Sequence, residues 1–598
     1  MSLSWPRVAG WFAGSLALTW LALLLTMGLA SLHQPAVAHL LASGGWVPWQ
    51  AVDWLRLHPA EGQLGEVLAA AGAAWLGWIM FRGGARASSA DLTHVFSRAE
   101  TAYGSGRWRT DRELTPALTR WPVPKVAPVT APPGIVTGWR GRDSVLLTMD
   151  QHGVLVGVPG AGKTRRIILP TLGCLGAAGE SLVISDPKGE LYGYTAAWLR
   201  ERGYHVLRLD FRNPSQSARW NPLAPIQAAL AAGQTATASR AAWQLGHALV
   251  GKGPTNEALW SQTAESLIAA LALATATTAD APAQHLHSAY RMLLSLGDDL
   301  DAFFDTFDDR HIAREAYRTV QSAKEETRSS IHLTTTATLR LFSDPNIAWL
   351  TAAHDPGWPM GHSAAEVLAA AAAGPVAVFL VIPDEDSTLY PLATLALSQL
   401  ISSLVDASAQ APAGRLPRRV NFILDEFGNL PALPDFDKAI NVGRGRGLRF
   451  LLSVQSWPQF KAVYGDAGSV IANGCAVAIY LGSSDIATAQ EFSQRCGSAT
   501  VQTETRHKNA SSTASVGRSL LTPDELLRWP TGRALVLQLG QLPLALDLPD
   551  LTRWPWPFTL AAPDPPRDLT PETDALPVYP PAHDEAWGVA PLDADWEP

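Results

Sequence analysis

The sequence predicts an α/β fold with a parallel central sheet, an inserted all-α segment and two membrane-spanning helices at its start. Three observations carry this. Short β-prone apolar runs alternate with helical stretches over 141–225 and again over 374–548, the pattern of a parallel sheet with crossover helices. Between them, residues 226–373 are Ala-rich and show no strand pattern. Ahead of both, two apolar runs are long enough to cross a bilayer, which takes about 20 residues.

The first run, Val8 to Ser31, has no charged residue, and the second, Leu64 to Phe81, has only Glu66. Arg7 precedes the first; Arg82 and Arg86 follow the second. An excess of basic residues marks cytoplasmic flanks, so residues 33–63 are expected outside, with Trp46, Trp49 and Trp54 near the interface. Ala36-Val37-Ala38 resembles a signal-peptide cleavage site. The first run is longer than the usual apolar region of about 7–15 residues, so residues 1–82 read as a retained anchor. Residues 83–140 read as a polar, Arg-rich cytoplasmic connector, Pro-rich and extended from Pro122 to Pro133.

Strands are expected at Val145-Leu146-Leu147 and Val154 to Gly157. The second runs into Gly157-Val158-Pro159-Gly160-Ala161-Gly162-Lys163-Thr164, which fits the phosphate-cradling pattern G-x-x-x-x-G-K-[ST]. Glycines let backbone N–H groups turn inward around a phosphate chain, and the following helix N-terminus adds partial positive charge. Lys163 is expected on the β- and γ-phosphates of ATP, and the Thr164 hydroxyl on Mg2+. Pro170 should kink or end the helix that follows. Further strands fit Ser181 to Ser185 and His205 to Leu209.

Within 226–373, Trp260, Ala264, Leu267 and Leu271 recur on one helix face. Asp298 to Asp309 holds six aspartates among Leu300, Phe303, Phe304 and Phe307, read as a solvated acidic face on an amphipathic helix. Strands resume at Val376 to Ile382, and a helix is expected from about Leu389 to Val405. Val420 to Leu424 is an apolar strand that ends in Asp425-Glu426. Asp425 suits the Mg2+ shell through water, and Glu426 suits polarising an attacking water. Gly443-Arg444-Gly445-Arg446-Gly447 reads as a mobile turn before strand Phe450 to Val454, which ends in Gln455. Short strands fit Val477 to Leu481 and Ala534 to Leu537.

Cys174, Cys475 and Cys496 show no metal spacing and suit reduced thiols. His285 and His287 are close but have no nearby third ligand. Net charge is −8. From Pro549 onward there are ten acidic residues and two arginines, which leaves 44 acidic and 44 basic residues in the rest. The body is neutral, so net charge neither supports nor excludes a DNA channel. Residues 549–598, acidic and Pro-rich, read as a disordered tail.

Several stretches together resemble the type IV coupling proteins, the TraG-like ATPases of conjugation and type IV secretion. They are the glycine loop, Ser185-Asp186-Pro187-Lys188-Gly189-Glu190-Leu191, Trp220-Asn221-Pro222-Leu223, Ile382-Pro383-Asp384-Glu385-Asp386, Leu424-Asp425-Glu426-Phe427-Gly428-Asn429 and Gln455-Ser456. The resemblance runs from the first apolar span to about residue 548. It implies a RecA-like P-loop NTPase, multi-pass in the bacterial inner membrane, with both termini and the ATPase body cytoplasmic. It also implies a homo-hexamer with a central channel, docked on a type IV secretion channel, whose partners are a relaxase with single-stranded DNA, or protein. By matching position, Gln455 takes the place of a γ-phosphate-sensing glutamine. Arg444 takes that of an arginine finger reaching a neighbouring subunit, with Arg446 as runner-up. Asp186 and Lys188 join the nucleotide site.

The leading expectation is ATP hydrolysis coupled to macromolecule transfer. A docking receptor whose nucleotide only controls ring assembly is the second. An FtsK-like DNA translocase is the third; the acidic end of the chain, where that class carries a DNA-reading domain, counts against it.

Overall fold

The structure, a computed structural model, describes residues 101–560 and 576–579, except 115–117, 142–143, 149, 252–257, 384, 386 and 508–509. Both N-terminal apolar spans, and with them the anchor and its topology, lie outside the described residues.

Fourteen strands are present among the described residues. They are β1 (Thr119–Pro122), β2 (Ile135–Trp139), β3 (Ser144–Thr148), β4 (Gly153–Val156), β5 (Ser181–Ser185), β6 (His205–Asp210), β7 (Val376–Val381), β8 (Val420–Leu424), β9 (Leu448–Val454), β10 (Val477–Tyr480), β11 (Ser498–His507), β12 (Ala510–Ser519), β13 (Arg533–Gln538) and β14 (Leu544–Asp547). Twelve form one sheet in the order β1-β3-β2-β14-β13-β10-β4-β9-β8-β5-β7-β6. From β10 to β6 every pairing is parallel. From β13 to β1 every pairing is antiparallel. The expected parallel sheet is therefore one half of a mixed sheet. The second half includes β1 and β2, which arise from the stretch read as a connector.

The parallel strands are apolar because helices cover both faces. All residues of β4, β5, β8 and β9 are buried. After β4 the glycine loop leads into a π turn, Thr164–Ile168, and then helix α1 (Leu169–Ala178). Pro170 does not end this helix. It sits in the first turn of α1, and the wider turn ahead of it accommodates the ring and its missing N–H. Helix α2 (Glu190–Glu201) follows β5.

Between β6 and β7, nine α-helices occupy Ala224 to Ala373 among the described residues, with no strand. Two of them are α3 (Ala258–Thr278) and α4 (Leu286–Leu296). Ala264, Leu267 and Leu271 are fully buried, as the helical spacing requires. In the acidic stretch Leu300, Phe303 and Phe304 face inward. Asp301 and Asp305 face arginines, Arg328 at 2.7 Å and Arg314 at 2.9 Å. The insertion is anchored by Trp220, fully buried, whose Nε1–H donates to Gln399 Oε1 at 3.2 Å. Gln399 lies on helix α5 (Tyr390–Gln410), outside the insertion, and donates to Pro222 O at 2.8 Å. Helix α5 is the one helix among the described residues long and apolar enough to cross a membrane, and it packs into the core.

Two further expectations are corrected. The Gly443 to Gly447 stretch is not a mobile turn. It is the last turn of helix α6 (Phe436–Arg446), closed by Gly447 in the left-handed conformation at φ 91°. Two glycines inside a helix lower its intrinsic stability, but Ile440 and Gly443 are buried against the sheet. The tail from Pro549 is not wholly disordered. Asp550 forms a two-point ion pair with Arg165 at 2.9 and 3.0 Å. Trp554 packs edge-on to Trp139, and Trp556 against Trp121 and Trp198. Only glycine fits at position 173 of α1, because a Cβ there would lie 2.4 Å from the Trp556 ring. Residues 561–575 and 580–598 of the tail lie outside the described residues.

Trp556→Ala should therefore cost about 3–5 kcal/mol, the usual loss for a buried tryptophan. The check is thermal melting of Trp556→Ala and of chains ending at residue 549 or 560. Ending at 560 removes only the contacts of Leu576–Tyr579 and should lower the melting point less than ending at 549, which also removes Asp550, Trp554, Trp556 and Phe558 and should lower it at least as far as Trp556→Ala does. A tail that does not pack would give three identical melts.

Candidate nucleotide site

The site lies along the carboxyl ends of three adjacent strands, β4, β9 and β8. Register aligns Val156 with Val454, and Leu424 with Leu452. The residues that follow thus come together: Gly157 and the glycine loop from β4, Gln455 from β9, Asp425 and Glu426 from β8.

The loop from Gly157 through Val158, Pro159, Gly160, Ala161 and Gly162 opens outward, with Pro159 and Gly160 exposed. Gly160 and Gly162 adopt φ of 81° and 92°, conformations that disfavour side chains. Space beside Gly160 is open, with nothing within 4 Å of where a Cβ would stand. Lys163 is buried, 6% exposed. Its Nζ donates to Gly157 O at 2.8 Å and lies 3.1 Å from Glu426 Oε1. Thr164 begins the π turn and is partly exposed.

Asp425 is buried, and burial raises its pKa above the usual carboxylate range. Its Oδ1 accepts from Ser453 Oγ at 2.7 Å and from the Glu426 backbone N–H at 3.0 Å. Glu426 has φ 50°, the left-handed region, which costs a non-glycine residue about 1–3 kcal/mol when surroundings enforce it. That turn aims its carboxylate back over the sheet edge. Gln455 Nε2 donates to Glu426 Oε2 at 2.9 Å. Gln455 is fixed in turn, because its backbone N–H donates to Gln459 Oε1 at 2.8 Å.

Asp186 follows β5, beside Asp425 across the β5–β8 pair. Its carboxylate accepts the Tyr192 N–H at 2.8 Å and so caps α2. Burial pushes its pKa up to about 7, with backbone hydrogen bonds opposing and the Asp425 charge adding. Lys188 is exposed in the loop that follows. Arg444 stands elsewhere. It sits in the last turn of α6, just before β9 begins, whereas Gln455 follows the end of β9; seven strand residues, roughly 23 Å, separate the two ends of β9. Its side chain is 59% exposed, with Nε 3.5 Å from Asp150 Oδ2. Arg415 and Arg419 share that aspartate. Arg446 donates to Val405 O at 3.2 Å and ties α6 to α5.

The sequence reading assigned no role to Ser453 or Gln459. Ser453 had a visible signal, a lone hydroxyl in an otherwise apolar strand. Gln459 had none, since its partners follow only from the fold. No cluster of metal-ligating side chains occurs among the described residues. The three cysteines are free and buried.

A family model for type IV secretory system conjugative DNA transfer matches residues 112–547. The chain belongs to that family. Among the conjugative DNA transfer proteins it is 26% identical over 545 residues to conjugal transfer protein TraG of Escherichia coli, covering 83% of this chain and 81% of that protein. It is 29% identical over 184 residues to the type IV secretion system-coupling protein VirD4 of Bartonella quintana (strain Toulouse), covering 29% and 28%. Plasmid coupling protein TrwB in complex with the ATP analogue ADPNP shares the fold, with a TM-score of 0.55 and 16% identity over 77% of this chain and 98% of that one. TrwB with ADP and Mg2+ gives a TM-score of 0.51 and 18% identity over 69% and 87%.

Ser453→Ala removes a hydrogen bond to a buried carboxylate. The expected loss is about 1 kcal/mol, or roughly fivefold. If Asp425 holds Mg2+ as the sequence leads one to expect, it should appear as a higher Mg2+ concentration for half-maximal nucleotide binding. An unchanged Mg2+ titration would separate Ser453 from the metal shell.

Proposed function

We propose that the chain is an inner-membrane coupling ATPase. It brings substrate, either single-stranded DNA with its relaxase or a protein, to a type IV secretion channel, and drives or licenses transfer by hydrolysing ATP. The observation that carries this is the convergence of Lys163, Asp425, Glu426 and Gln455 on one sheet edge beside an open glycine loop.

The residues fit ATP with Mg2+. Positive-φ glycines leave room for phosphate oxygens, and Lys163 is aimed along the loop by Gly157 O. Thr164 and Asp425 would hold Mg2+, which neutralises phosphate charge. Phosphate oxygens compete with Glu426 for the Lys163 ammonium, so binding frees one oxygen of Glu426 to accept a proton from water. Gln455 keeps Glu426 oriented from the strand that pairs with the one leading into the loop. Asp186, which caps α2, supports the Asp425 side of the site from behind rather than touching nucleotide.

Arg444 lies at the opposite sheet edge from its own loop. In this reading it acts only on a neighbour's nucleotide, in a ring of six held by the N-terminal anchor. An arginine finger contributes about 10³–10⁵ in rate, or roughly 4–7 kcal/mol.

Lys163→Ala should abolish hydrolysis while leaving membrane insertion intact; ATPase assay of the purified chain checks it, and wild-type turnover would remove the assignment. Arg444→Ala should leave ATP affinity nearly unchanged and cut turnover steeply. Mixing Arg444→Ala with Glu426→Gln subunits should restore part of the activity, because some interfaces then pair an intact Glu426 with an intact Arg444. A normal rate for Arg444→Ala alone would return it to a structural partner of Asp150.

A further inference from the structure

One motif of the sequence takes no part in the nucleotide site. It is Trp220-Asn221-Pro222-Leu223, at the entry to the helical insertion. Asn221 is 4% exposed, and its Nδ2 donates to Gln284 O at 2.8 Å. Gln227 Nε2 donates to the same carbonyl at 3.1 Å. These two amides fix the backbone just before α4, and so fix His285.

His285 is fully buried. Its Nδ1 accepts the Ser288 backbone N–H at 3.2 Å, capping α4. The ring proton must then sit on Nε2, which donates to Pro577 O at 2.8 Å. Ser288, also fully buried, accepts the Tyr579 backbone N–H on its Oγ at 3.1 Å. Tyr579 packs its ring on the core of the insertion and motor. Two buried polar side chains thus read one carbonyl and one N–H, two residues apart, on an extended segment. That segment, Leu576–Tyr579, belongs to the acidic tail. Main-chain contacts supply affinity and the aromatic supplies selectivity, as in other recognition of extended peptides.

We propose that the start of α4 is a peptide-binding site that reads the backbone of an extended segment ending in an aromatic residue, and that its occupant is this chain's own tail, Leu576–Tyr579. The site is built for that ligand. A bare Nε2–H on His285 and a bare Ser288 Oγ would be buried polar atoms without those partners, which is unfavourable. Burial also lowers the His285 pKa to about 4, so the ring is neutral and keeps one proton to donate at neutral pH. The linker, residues 561–575, is long enough to let the segment leave and return, reaching at most about 50 Å. The tail is thus a releasable latch on the helical insertion, and another extended polypeptide gains the site only when the latch opens.

The test uses the full-length detergent-solubilised chain and a fluorescein-labelled peptide of residues 570–586. In the wild type the tethered tail competes at an effective concentration near the mM range, so the peptide should bind poorly. Tyr579→Ala in the chain weakens the latch, and the peptide should then bind at least about tenfold more tightly. Adding Ser288→Ala to that chain should reduce peptide affinity by roughly fivefold or more, through the lost hydrogen bond. Ser288→Ala leaves the helix cap in place, because the cap uses the Ser288 backbone N–H. His285→Ala removes cap and contact together and should abolish binding, with thermal melting reporting whether the chain still folds. Equal peptide binding to wild type and Tyr579→Ala, no binding to either, or indifference to Ser288→Ala would each overturn the proposal.

Discussion

The structure depends most on the register of β9 between β4 and β8. β9 is buried on both faces, so most of it must be apolar. It carries two polar exceptions, one toward each end. Arg449, 2% exposed, lies 2.6 Å from Glu180 Oε2 and donates to Asn421 Oδ1 at 2.7 Å. Ser453 donates to Asp425. Each finds its partner in only one register. A slip of one residue would turn both to the wrong face and strand a buried guanidinium without its carboxylate, a loss of several kcal/mol. The ion pair at the far edge therefore fixes where Gln455 stands at the nucleotide edge.

From that register follows the strained turn at Glu426. A left-handed glutamate is tolerated because the groups around it over-determine its position. Its backbone N–H is held by Asp425, its carbonyl accepts the Asn429 N–H at 2.9 Å, and its carboxylate meets Lys163 and Gln455. Relaxing the turn would break several contacts at once. Strain of this kind belongs where a side chain must be presented accurately, and here it presents a carboxylate to the open space beside the glycine loop.

Much of this was legible in the residues. The parallel strands announce themselves as unbroken apolar runs, and the glycine loop and Asp425-Glu426 as the polar ends of two of them. The insertion shows as a long stretch without strand pattern. What escaped has physical causes. β1 alternates partly buried and exposed residues and β2 carries a register shift at Gly138, so they lack the unbroken apolar run of a central strand. The β11–β12 hairpin is rich in Ser and Thr, with little apolar alternation to mark it. The Gly443–Gly447 stretch carries breaker residues, but packing of Ile440 and Gly443 holds the helix against its own propensity. The tail was judged by charge and proline content. Its order comes from three aromatic side chains, Trp554, Trp556 and Phe558, whose partners are far away in sequence.

That tail connects parts of the molecule that the strands keep separate. Its first residues grip the turn just after the glycine loop: Asp550 holds Arg165, and Leu548 O accepts from Arg166. Thr164, beside them, opens that turn. The next residues are pinned to α1 and α2 by Trp556. Past the linker, Pro577 and Tyr579 meet α4 of the insertion. The insertion itself is rooted at β6 and β7 and on α5 through Trp220 and Gln399. In the sheet, β9, β8, β5 and β7 lie between β4, which carries the glycine loop, and β6, which leads into the insertion. The described parts of the tail contact both the turn after the glycine loop and the start of α4.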